Sequence, residues 1–117
     1  MYRPDNRARK ATPALRELSC GDWSAWHDFM PGGPPTLYVV GLCTFPTPGY
    51  TVVLKKAFPP GLDPAILILD RVVTPPAGPQ PDRIDLVDVK FAERTSVEYD
   101  QVYIRPDGVL LGVQIVP

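Results

Sequence analysis

Residues 37–58 read LYVVGLCTFPTPGYTVVLKKAF, and their pattern indicates the fold class. Two apolar runs rich in β-branched residues flank the PTPG segment at 46–49, a turn sequence in which we expect Gly49 to take a positive φ. Val52 and Leu54 share one side of the second run and a lysine lies on the other, an alternation typical of a half-buried strand. The stretch therefore predicts two strands joined by a hairpin or a corner.

The same pattern of short apolar runs ended by proline or glycine continues along the chain. The further runs are 65–74, 84–91, 99–104 and 108–116, with a weaker one at 15–20. The chain has 16 prolines, and a helix interior excludes each of them by about 3 kcal/mol. The pattern predicts an all-β fold, an antiparallel β-sandwich of about six to eight short strands with proline-rich turns.

This predicted architecture resembles the immunoglobulin-like sandwich in general, and no family is identified from it. The tryptophan and paired-cysteine spacing of antibody domains is absent, because Trp23 and Trp26 both precede Cys43. The resemblance implies a scaffold whose loops carry the function, so the fold alone does not name an activity.

Length and charge predict one domain with a basic arm. The 117 residues suit a single domain, which we place at 13–117 after a mobile arm at 1–12. The arm carries a net charge of +3 and the remaining residues carry −4. The acidic remainder of the chain is a poor match for the phosphates of nucleic acid. No run approaches the ~20 apolar residues that a membrane span needs. Without a visible signal peptide, a cytoplasmic location follows.

The two cysteines leave two interpretations open. In the cytoplasm Cys20 and Cys43 are expected as reduced thiols, with Cys43 acting as a small buried hydrophobe in an apolar strand. The alternative is a Cys20–Cys43 disulfide, which would stabilise the fold by about 3 kcal/mol. Their spacing is not a zinc motif, so we predict no metal site and no cofactor.

Local patterns place the remaining segments. Residues 21–35 show no period of two and predict a long loop whose tryptophans plug one end of the sandwich. Residues 65–69 are apolar on both sides and predict a central strand. The run at 84–91 predicts a bulge near Leu86, and residues 102–115 predict a hairpin around Asp107-Gly108.

A candidate ligand site follows from the same aperiodic segment, because it concentrates aromatic rings, the single histidine and a carboxylate. The predicted ligand-binding residues are Trp23, Trp26, His27, Asp28, Phe29, Tyr38 and, as a neighbour, Tyr50.

The function predicted from these features is a small binding or interaction module, without enzymatic activity. Its partner would be a protein or a small ligand, neither nucleic acid nor a membrane, and an exposed edge strand would allow a homodimer. The alternative is a small hydrolase or metal-dependent enzyme built around residues 23–38, with His27 as base or ligand. Against it, neighbours such as His27 and Asp28 point to opposite sides of an extended chain.

Overall fold

The computed structural model describes residues 18–117, which form eight strands and no helix. In chain order they are β1 (Ser19–Asp28), β2 (Thr36–Phe45), β3 (Thr51–Lys56), β4 (Ile66–Thr74), β5 (Asp85–Arg94), β6 (Gln101–Arg105), β7 (Val109–Gly112) and β8 (Gln114–Val116). The predicted all-β class is confirmed. The predicted arm at 1–12 and residues 15–17 of the weaker run at 15–20 lie outside the described residues.

The strands form two four-stranded sheets that share one hydrophobic core. Sheet A has the order β5-β2-β1-β8, and sheet B has the order β3-β4-β6-β7. Both sheets contribute to the core, whose buried members are Ala25, Leu37, Val39, Cys43, Phe45, Leu54, Leu67, Leu69, Val89, Val102 and Ile104. Burying each Val, Leu, Ile or Phe side chain of this cluster supplies about 1.5–3 kcal/mol, so the cluster is the main source of stability.

The prediction of a purely antiparallel fold is wrong, because each sheet contains one parallel pair. Strand β4 pairs in parallel with β6, and β1 pairs in parallel with β8. A parallel pair needs a long crossover, and between β4 and β6 the chain makes one by adding β5 to the other sheet. This exchange between sheets leaves no mark in the alternation of single strands.

The PTPG segment forms a corner between the two sheets, since β2 lies in sheet A and β3 in sheet B. Gly49 has φ 97°, as predicted, and a Cβ there would stand 2.7 Å from the Cβ of Pro76. The predicted central strand at 65–69 is also confirmed, since β4 lies between β3 and β6 with Leu67 buried.

The predicted loop at 21–35 is wrong in its first half, because β1 continues to Asp28. The pairing of β1 with β2 shifts register between Gly21 and Ser24, where Asp22 has φ 54°. A bulge of this kind changes the alternation of side chains, which hid the strand in the sequence. The bulge predicted near Leu86 is wrong, since β2 and β5 pair without a register shift.

The C-terminal run forms a hairpin and then changes sheets. Strands β6 and β7 pair antiparallel, which confirms the predicted hairpin, and Gly108 in its turn has φ 73°. The single return strand predicted at 108–116 is wrong beyond Gly112. The Val113 amide donates to the carbonyl of Asp100 (3.0 Å), and β8 then joins sheet A beside β1.

The two cysteines form a disulfide, so the prediction of reduced thiols is wrong. Cys20 and Cys43 are direct partners in the antiparallel register of β1 and β2, which brings their sulfur atoms together. The sequence did not show this register, because the bulge in β1 follows immediately.

Three loops gather at one end of the molecule, which we call the loop end. The pairing registers place the end of β1, the start of β2 and the end of β5 side by side. The loops at 29–35 and 95–100 therefore meet there, and a Lys56–Glu93 ion pair (2.8 Å) brings the loop at 57–65 to the same end. Among residues 18–117 the structure contains no helix long and apolar enough to cross a membrane.

Candidate functional site

An aromatic row crosses the outer face of sheet A. Trp26 and Tyr38 are direct partners across β1 and β2, with ring centroids 5.3 Å apart and an angle of 26° between the rings. Gln114 of β8 and Ala92 of β5 extend this row on either side. Both aromatic rings are partly exposed, and they alternate along their strands with buried core residues. The row thus places two aromatic rings, stacked on each other and partly exposed, at the outer surface of sheet A.

A polar row lies next to the aromatic row, one step closer to the loop end. Asp28, Thr36 and Arg94 are successive partners across β1, β2 and β5, on the same face as Trp26 and Tyr38. The row contains an anionic acceptor, a hydroxyl and a cationic donor, so it offers hydrogen bonds of every type. Together the two rows place hydrogen-bonding groups along the edge of an aromatic surface.

The β1–β2 loop forms a wall beside the two rows. Asp28 Oδ1 accepts a hydrogen bond from the Met30 amide (2.9 Å), and Thr36 Oγ1 donates to the Pro34 carbonyl (3.1 Å). These bonds hold both ends of the loop. The resulting open cavity has a volume of about 580 Å³ and is lined by Asp28, Met30, Pro31, Gly33, Pro34, Thr36, Tyr38, Ala92 and Arg94. Its size falls within the range of small-molecule sites.

Positive charge borders the cavity on two sides. The Lys90 ammonium lies 5.4 Å from the centroid of the Tyr38 ring, a cation–π contact that holds the ring from the side opposite the polar row. Arg94 is exposed at the other side. The cavity is therefore lined by one carboxylate and one cation, and a second cation contacts the Tyr38 ring beside it.

His27 lies on the inner face of sheet A, away from this cavity. Its side chain is fully buried, and its ring centroid is 4.2 Å from that of Phe29. Nε2 is 2.7 Å from the carbonyl oxygen of Thr95, so this nitrogen carries the proton and donates. Thr95 in turn donates its amide to Pro35 (3.0 Å). His27 thus anchors two loops of the loop end from inside the core.

The other predicted site residues are divided between the inner face and the far end of the molecule. Trp23 lies on the inner face, where its indole covers Gly41 so closely that a Cβ at Gly41 would overlap the ring. Tyr50 stacks on Phe45 with centroids 4.4 Å apart, at the end opposite the loop end. The structure thus brings together Trp26, Asp28 and Tyr38 of the predicted set.

Sequence reasoning missed the partners that β5 supplies to the site. Arg94 and Ala92 are more than fifty residues from Tyr38 in the chain, and only the strand register places them beside it. Thr36 was missed for a different reason, since it directly follows a proline-rich segment and reads as part of the loop. Its pairing with Asp28 identifies it as the first residue of β2.

Sequence reasoning also missed a second, apolar surface, which lies at the β3–β4 loop beside sheet B. Phe58 and Leu62 are 94% and 104% exposed in the β3–β4 loop. Beside them is a cavity of about 780 Å³, lined mainly by apolar residues of the loop and by Ile66, Ile68, Val97 and Tyr99. At its rim the hydrogen bond to the Glu93 carboxylate raises the pKa of Lys56 above its ordinary value. The sequence marked Pro59-Pro60-Gly61 only as a turn between strands.

Comparisons with known proteins found no relative of this chain. No protein-family model matches the chain, and no curated protein or solved structure gives a significant match. Within residues 18–117, no group of three or more His, Cys, Asp or Glu side chains is arranged to hold a metal ion. The interpretation of the site therefore depends on its geometry.

Proposed function

We propose that the protein is a non-enzymatic binding module whose ligand lies on the aromatic row of sheet A. The observation that carries the proposal is the pair of adjacent rows, with Trp26 and Tyr38 in one and Asp28, Thr36 and Arg94 in the next. The ligand that fits has a flat apolar face and a hydrogen-bonding edge, which is the chemistry of a sugar ring.

Preorganisation supports this proposal. The hydrogen bonds of Asp28 and Thr36 to the β1–β2 loop fix the cavity wall before any ligand arrives. Tyr38 is held between the Trp26 ring and the Lys90 ammonium. A site that is already ordered loses little conformational entropy on binding, so a modest contact area is enough for measurable affinity.

The enzymatic alternative receives less support from the geometry. A base needs access to the proton that it abstracts, within about 3 Å or through one water. The buried His27 ring donates to Thr95 and lies on the opposite side of sheet A from the Asp28 carboxylate. The two groups therefore do not form a dyad facing a shared substrate.

Two finer proposals concern the arrangement of the sheets and the cellular location of the protein. The immunoglobulin-like sandwich remains our proposal for the arrangement of the two sheets. The cytoplasmic location remains a prediction of the sequence, and the Cys20–Cys43 disulfide favours an oxidising compartment instead.

The proposed function is tested by screening the purified protein on an array of oligosaccharides and measuring the affinity of any hit by calorimetry. We expect Trp26→Ala to weaken binding at least about tenfold through the loss of stacking area. Arg94→Ala should weaken it to a similar degree. Phe58→Ala removes a more exposed aromatic ring, in the β3–β4 loop, and should leave the affinity unchanged. Absence of binding to every sugar, or equal losses in all three variants, would refute the proposal.

A further inference from the structure

The β3–β4 loop presents an apolar protrusion, which we call the apolar loop and define as residues 58–63. Phe58 and Leu62 project from it almost completely into solvent. Pro59, Pro60 and the following Pro64 restrict the backbone of this segment. Single exposed apolar side chains are common on proteins, but two large ones on a stiff protrusion are typical of an interaction site.

An apolar cavity lies directly beside the apolar loop. Its volume is about 780 Å³, and Ile66, Ile68, Val97 and Tyr99 form the part that the loop does not. A smaller cavity of about 220 Å³ continues from it across the outer face of sheet B to Tyr103 and Leu110. The protrusion and the depression therefore form one continuous apolar patch.

We propose that this patch is the interface of a homodimer, in which the apolar loop of each copy occupies the cavity of the other. A two-fold interface uses the same patch on both copies and so needs a protrusion and a matching depression side by side. The apolar loop and its cavity meet this requirement within one chain. A different partner would need only one of the two.

The charges around the patch are compatible with a second copy. Among the residues that line the larger cavity, Lys56 and Asp63 carry charge, one of each sign, and Lys56 is already paired with Glu93 within the chain. Asp63 Oδ1 accepts the Ala65 amide (2.9 Å), which turns it toward its own backbone. Two copies that approach through this patch thus meet no excess of like charge, and their contact is mainly apolar.

The test compares two matched double variants by sedimentation equilibrium over a range of protein concentrations. Phe58→Ser with Leu62→Ser removes the protrusion, whereas Ile84→Ser with Leu86→Ser removes two exposed apolar side chains at the opposite end. All four positions are on the surface, so both variants should fold, which circular dichroism checks. We expect a wild-type dimer whose dissociation constant rises at least about tenfold in the first variant and stays unchanged in the second.

Three results would overturn the proposal. A wild type that stays monomeric at all concentrations would exclude the dimer, even if it binds an apolar dye in the cavity. A dimer that persists in the Phe58/Leu62 variant would indicate pairing through another surface, such as an edge strand. Equal weakening in both variants would indicate association without a defined interface. Sugar binding by sheet A is measured separately, so failure of one proposal leaves the other intact.

Discussion

Replacing Asp107 by alanine should destabilise the protein strongly, because Asp107 neutralises a cation that β4 directs inward. Arg71 follows Leu67 and Leu69 on the inner side of β4. Its Nε is 2.9 Å from both Asp107 carboxylate oxygens, and its Nη2 is 2.6 Å from Oδ1. The two side chains are only 11% and 14% exposed. Removing the carboxylate leaves a guanidinium in this site without its partner.

The magnitude follows from the burial of the pair. Breaking a fully buried ion pair by removing one partner costs about 3–5 kcal/mol, and the residual exposure here lowers the expectation to about 2–4 kcal/mol. For a domain of this size the melting temperature should fall by roughly 4 °C for each kcal/mol. Urea denaturation measures the loss of unfolding free energy in Asp107→Ala, Arg71→Ala and the double variant relative to the wild type. Together the four proteins give the coupling energy between the two side chains.

The expected signature is that the double variant loses little more stability than either single variant. Asp70→Asn is the matched control, because Asp70 pairs with Arg105 through bonds of 2.6 and 2.9 Å on the exposed side of the same sheet. That pair is screened by solvent, so its removal should change stability far less. Additive losses in the double variant, or a loss below about 1 kcal/mol in Asp107→Ala, would refute this account of the pair.

Further predictions concern the disulfide, the stability at acid pH and the packing of Trp23. Reducing the Cys20–Cys43 disulfide, which spans 23 residues, should lower the unfolding free energy by about 3 kcal/mol in chemical denaturation, and an unchanged midpoint would contradict this. The hydrogen bond from Arg105 lowers the pKa of Asp70, so this carboxylate stabilises the fold above the ordinary aspartate pKa of about 4. That contribution is lost as the pH falls through the lowered pKa. The free energy of unfolding of Asp70→Asn should therefore fall less than that of the wild type over this pH range, and an equal fall in both proteins would contradict this. Gly41→Ala should cost about 1–3 kcal/mol because it displaces the Trp23 indole, and unaltered near-ultraviolet circular dichroism would argue against this.

The sequence predicted the parts of the fold that local chemistry controls. Proline and glycine ended the strands where expected, and Gly49 and Gly108 took the positive φ that their turns need. Alternation in β5 likewise places Val87, Val89 and Phe91 on one side, and all three contact the core. These features depend on neighbours in the chain, and alternation or turn type reveals them directly.

The remaining features depend on contacts between distant residues. The bulge at Asp22 changed the alternation in β1, so a strand was predicted as a loop and the aromatic residues as one cluster. The strand divides them by parity, with Trp26 outside and His27 inside. Arg94 joins the site only through its register with Thr36. Neither register nor sheet exchange has a local signal in a single sequence.

Ligand binding on the outer face of sheet A can be measured with the two tryptophans as reporters of the two faces of the sheet. In Trp23→Phe, the remaining Trp26 lies on the aromatic row, and in Trp26→Phe the remaining Trp23 packs against the core from the inner face of sheet A. Acrylamide quenching is measured for each variant with and without a saturating oligosaccharide from the array. We predict that the sugar protects Trp26 from acrylamide and leaves Trp23 unaffected. Equal quenching of Trp26 with and without every sugar tested, or protection confined to Trp23, would contradict it.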